Sequence, residues 1–69
     1  MKLNYNPDTD SLYIELSDED GVDSAEIQPG IVLDFDANDQ LVGIDVQQAS
    51  QTVDLTRIEA TSLPLHVCA

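Results

Sequence analysis

The sequence predicts an α+β fold: a small antiparallel sheet, a meander of about five strands, with one short C-terminal helix packed on it. Three observations lead there. Apolar and polar residues alternate with a period of two in short segments between Met1 and Val46, as in strands with one buried face. The segments are joined by short stretches rich in Asp, Asn, Pro and Gly, too short for the dozen or so residues of a parallel crossover. Beyond Val46 the apolar spacing changes to that of a helix.

Taken in order, Met1, Leu3 and Tyr5 mark the first strand, and Asn6-Pro7-Asp8-Thr9-Asp10 concentrates residues that reverse the chain. Leu12, Ile14 and Leu16 carry the second strand, with Tyr13 out of phase on its other face. Asp18-Glu19-Asp20-Gly21 reads as a solvated turn, because adjacent acids repel one another when buried. Val22, Ala25 and Ile27 make a weaker strand with a bulge expected between Val22 and Ala25, where the alternation slips. Pro29-Gly30 turns the chain into Ile31–Phe35, the most apolar segment and the expected sheet centre. Residues 36–40 link it to Leu41–Val46. Asp54 then stands as an N-cap before Leu55, Ile58, Ser62 and Leu63, with Val53 placed to staple onto Ile58 and Pro64 to end the helix. Residues 65–69 are expected to add an edge strand or to hang free. The chain is read as a single domain over 1–69, with a β region over 1–50 and a helix and tail over 51–69.

Composition narrows the function. Fourteen acids face only Lys2 and Arg57, a formal net charge of −12, and the stretch from Leu3 to Thr56 holds thirteen acids and no Lys or Arg. Such a field repels phosphate backbones and anionic lipid and attracts basic proteins, so direct nucleic-acid binding is disfavoured. The same charge also serves solubility alone. No run approaches the roughly 20 apolar residues that span a bilayer, and the first seven residues lack the apolar core of a signal peptide, so a cytoplasmic, non-membrane protein is expected. At 69 residues one core is thin, and the lone Cys68 makes no internal disulfide. A homo-oligomer, in the simplest case a dimer, is the expected supplement.

The run Tyr5-Asn6-Pro7-Asp8-Thr9-Asp10-Ser11-Leu12-Tyr13-Ile14-Glu15-Leu16 resembles the opening of DUF2283, a small bacterial family of unknown function. Pro29–Asp36, Leu41–Val46 and Ala49-Ser50 are similar to the rest of its pattern, so the likeness spans about residues 1 to 50. Asn38-Asp39 departs from it, standing where turns of the family carry Asp-Gly or Asn-Gly. The resemblance implies a compact, mainly β domain in bacterial cytoplasm and, for some relatives, an antitoxin-like partnership with a small toxin.

Candidate chemistry is sparse. Asp34, Asp36, Asn38, Gln40 and Asp45 fall at positions 1, 3, 5, 7 and 12 of a calcium-loop template, but Asp39 occupies the place of its glycine and Asp45 that of its bidentate Glu, which favours a hairpin turn. Asp8 and Asp10 read as Asx-turn residues before metal ligands. His66 and Cys68 make half a zinc site at most. No catalytic residue, metal site or cofactor is expected. Tyr5 is assigned to the core. Tyr13 and Val32, if they share a face, either pair two copies or receive a partner, or are covered by the helix. The leading expectation is therefore a protein-binding module and not an enzyme, engaging a basic protein through Asp18, Glu19, Asp20 and Asp23, the densest acidic cluster. A metal-dependent domain using the Asp34–Asp45 acids and a purely structural oligomeric subunit are the alternatives.

Overall fold

Five strands, β1 (Lys2–Asn6), β2 (Ser11–Glu15), β3 (Asp23–Gln28), β4 (Ile31–Phe35) and β5 (Leu41–Val46), form one antiparallel open sheet, and a single helical turn, α1 (Ala49–Thr52), follows. The computed structural model describes residues 1–64. The expectation for 65–69 lies outside the described residues, as do His66 and Cys68.

The strand order is β1-β2-β5-β4-β3, which corrects the simple meander. The β1–β2 hairpin docks on β5, so β5 and not β4 is the central strand, and β2–β5 together make a Greek key. Charge explains the choice. β3 carries Asp23 and Glu26, whereas β5 sets Gly43 opposite Glu15 and Asp45 opposite Tyr13. Like charges directly opposite destabilise a ladder, and no paired position in this sheet sets two carboxylates against each other. Lys2, the one cation in a strand, is opposite Glu15.

What reads as a local turn, Asp18–Gly21, is therefore part of a connection over residues 16–22 that crosses one end of the sheet from β2 to β3. Leu16 and Ser17 both donate their N–H to the Val42 carbonyl, and Val22 donates to the Phe35 carbonyl. Gly21 passes close enough that a Cβ there would touch Asp34 and Val42. This strap, with a bulge between Asp34 and Phe35 opposite β5, helps to leave Val42 only 3% exposed.

The bulge expected near Val22 lies instead at Ile27, between Glu26↔Val32 and Gln28↔Ile31. The turn imposes it. Pro29, with its fixed φ, and Gly30 at φ 85° fill the central positions in the manner of a type II turn, which closes on Gln28 and Ile31 and leaves one residue too many in β3. In the β4–β5 turn, Asp36 Oδ1 accepts from the N–H groups of Asn38 and Gln40, at 2.8 and 2.9 Å, and Asp39 takes the left-handed conformation at φ 61° that glycine usually fills.

The helix expected over residues 55–63 is not formed. Val53 is already extended after α1, and Asp54 accepts from the N–H and hydroxyl of Thr56 two residues on, so it closes a local turn instead of capping a helix. The helix that exists begins six residues earlier, and Ala49 in it is fully buried.

Candidate functional site

Residues 3, 5, 12 and 14 share one face of the sheet, since Leu3 pairs with Ile14 and Tyr5 with Leu12. The chain returns over this face after α1. Leu3, Tyr5, Leu12 and Ile14 form the floor, and Val53, Asp54, Leu55 and Ile58 the opposite wall, of an apolar groove of about 510 Å³. It is open to solvent: Leu3 is 44% exposed, Tyr5 41% and Ile58 76%. Tyr5 is thus a groove residue, not core as the sequence suggests, because β1 is an edge strand and, among the described residues, only 53–58 lies over it.

Asp10 fastens the floor of the groove to α1, the helix that leads into its wall. It sits at φ 52° in the β1–β2 turn and accepts from the Tyr5 hydroxyl at 2.8 Å, the Ser50 N–H at 3.0 Å and the Ser50 hydroxyl at 2.6 Å, while its carbonyl accepts from the Ala49 N–H at 2.8 Å. Asp10 is therefore a tether between hairpin and helix and not a local Asx-turn residue. Asn6 fills that local role, its side chain accepting from the Asp8 N–H. The Ser50 and Tyr5 bonds hold the Asp10 carboxyl below its ordinary pKa, and the Tyr5 hydroxyl is in turn raised by its bond to that carboxylate. Asp54, the charged residue of the groove, is likewise lowered by the two Thr56 bonds and stays ionised.

The other face carries a polar recess of about 370 Å³ lined by Tyr13, Gly21, Val22, Asp23, Ser24 and Asp34. Tyr13 reaches across β5 to donate to Asp34 Oδ2 at 2.9 Å, and its hydroxyl is raised by burial first and by Asp34 second. The path runs over Gly43, where a Cβ would stand 2.5 Å from Tyr13 Cζ and closer still to the hydroxyl. Tyr13 and Val32 do share this face, flanking Asp45. The chain after α1 lies on the opposite one, so the described residues of the C-terminal segment do not cover them.

Asp18, Glu19 and Asp20 sit exposed on the crossing strap, with the Glu19 N–H donating to Ser17, and Asp23 borders the recess; none of the four lines the groove. The calcium-template residues do not converge either. Asp34 faces Tyr13, Asp36 is bound within its own turn and Asp45 lies between Tyr13 and Val32. Among the described residues no three His, Cys, Asp or Glu side chains are placed to hold a metal ion, and no helix is long and apolar enough to cross a membrane. The groove, Gly43 and the Asp10–Ser50 tether escape a sequence reading. The shared phase of Leu3, Tyr5, Leu12 and Ile14 is the one signal that points to the groove.

Fold and groove define a small open-sheet α+β domain of five antiparallel strands whose hairpin edge presents apolar side chains to solvent. The chain belongs to the family described as a protein of unknown function, DUF2283, whose model matches residues 2–50. That match runs from β1 to Ser50, and so includes both ends of the Asp10 tether. No curated protein and no solved structure matches the chain.

Proposed function

We propose that this protein is a non-catalytic binding module that receives an apolar, positively charged segment of another protein in the groove between the β1–β2 face and residues 53–58. The observation that carries the reading is the groove itself: apolar side chains left exposed, with the ionised Asp54 at the wall, on a chain of net charge −12. Open apolar surface of this kind is what partners cover, and the surrounding carboxylates draw in cationic chains and speed encounter. The partner is a small basic protein in the same cytoplasm, as an antitoxin-like role requires. Asp18, Glu19, Asp20 and Asp23, placed elsewhere on the molecule, act as steering charges in this reading. Co-purification from the native host at low and high salt tests it, with Ile58→Glu as the comparison. The partner is expected with the native chain and reduced about tenfold with the variant, a typical effect of losing one apolar anchor. Absence of any basic partner at either salt concentration removes the proposal.

A further inference from the structure

Among the described residues the open sheet has two unpaired edges, β1 and β3, and they differ. β3 is blunted in the ways proteins protect an edge: a bulge at Ile27 and two carboxylates, Asp23 and Glu26. β1 has neither a bulge nor a carboxylate, and its one charge is Lys2 at the end of the strand. Its ladder to β2 runs without a slip from Lys2↔Glu15 to Asn6↔Ser11, it contains no proline, all five residues are exposed, and it is the one strand without an acid.

We infer that β1 is a self-pairing edge: two copies of this chain join antiparallel along Lys2–Asn6 about a two-fold axis at Asn4, extending the sheet to ten strands. Charge and strand register select a second copy and this pairing. Two chains of net charge −12 meet with least repulsion along the acid-free strand, which carries one of only two cations. Side chains opposite each other share a face only when the axis passes through a residue, because the strand period is two. An axis at Tyr5 runs the pairing into Pro7 and one at Leu3 leaves Asn6 unpaired, whereas an axis at Asn4 uses the whole strand. It sets Leu3 opposite Tyr5 of the partner subunit on the groove face and Lys2 opposite Asn6 of the partner subunit on the other, so no like charges meet.

The pairing is independent of the groove having another occupant: loss of a basic partner leaves it standing, and its own failure leaves the groove. Sedimentation equilibrium of the whole chain at moderate salt is expected to show a monomer–dimer equilibrium. Asn4→Glu, which sets a carboxylate against its own copy at the axis, is expected to raise the dissociation constant by about tenfold or more. Gln28→Glu adds the same charge on β3 and is expected to change it far less. In a Cys68→Ser background, Asn4→Cys brings two thiols to positions about 4.5–5.5 Å apart between Cα atoms, within disulfide reach, so mild oxidation is expected to give a covalent dimer. A chain that stays monomeric and uncross-linked, equal weakening by both Glu variants, or growth into open-ended oligomers overturns the inference.

Discussion

At Gly43 three demands fall on one position. It lies opposite Glu15 in β2 and Asp34 in β4, so an absent side chain separates two carboxylates, and Tyr13 lies over it to reach Asp34. Glycine within a strand ordinarily costs about 0.5–1 kcal/mol relative to alanine, and here the close approach of Tyr13 reverses the comparison. Gly43→Ala is expected to destabilise by about 1–3 kcal/mol, as overpacking does. In a Tyr13→Ala background the same change is expected to be neutral or stabilising. Urea unfolding of the four chains measures the coupling, and a Gly43→Ala substitution that stabilises the native protein counts against this account. The alternation that places Tyr13 out of phase is legible in the sequence. That its hydroxyl crosses a neighbouring strand is not, because Asp34 is 21 residues away and nothing local marks the pair.

The strands are legible because each has a two-residue rhythm bounded by turn formers, and all five form, although bulges interrupt the rhythm at Ile27 and between Asp34 and Phe35. Their order is not, since the alternation of β2 suits either neighbour and the distribution of acids on β3 and β5 decides between them. The helix was misplaced for a related reason. Residues 55–63 carry helical spacing, but an isolated helix of that length is marginal in water, and Thr56 satisfies Asp54 locally. The turn that forms instead, α1, follows Gln48 in a left-handed conformation with no side-chain cap from that residue, and is held by Asp10 across 40 residues. Because the Ser50 and Tyr5 bonds lower the Asp10 carboxyl in the folded chain, its stabilising effect is present above the ordinary value of 3.8 and is lost as pH falls through the lower folded one. Asp10→Asn is expected to melt at a lower temperature than the native protein at neutral pH, with the gap closing as pH approaches the acid limit. Asp8→Asn, where the bonded group is the backbone N–H, is expected to open no such gap. Melts across pH 7 to 2 that keep a constant separation sink the tether.

Across the whole molecule the carboxylates are dispersed so that none directly opposes another in the sheet, yet their sum remains large. Among the described residues the one ion pair is Arg57–Glu59, exposed on both sides and worth little. The chain measures 30 × 29 × 20 Å, about one Debye length at 0.01 M ionic strength and about three at 0.1 M. At the lower value every acid acts on every other, and at the higher only neighbours do. Folding gathers these charges, so dilute salt should stabilise the native state by relieving repulsion that the expanded chain feels less. The urea midpoint is expected to rise between about 0.01 and 0.1 M sodium chloride and then level off as screening saturates. Holding the protein well below its self-association range separates this rise from any gain through dimerisation, which depends on concentration. Calcium chloride at matched ionic strength separates screening from binding, because an ion held by the Asp34–Asp45 acids adds stability beyond the sodium curve. A midpoint that stays flat or falls with sodium chloride means that the dispersion of acids in the ladder has already removed the repulsion, and that the net charge does not limit the stability of this fold.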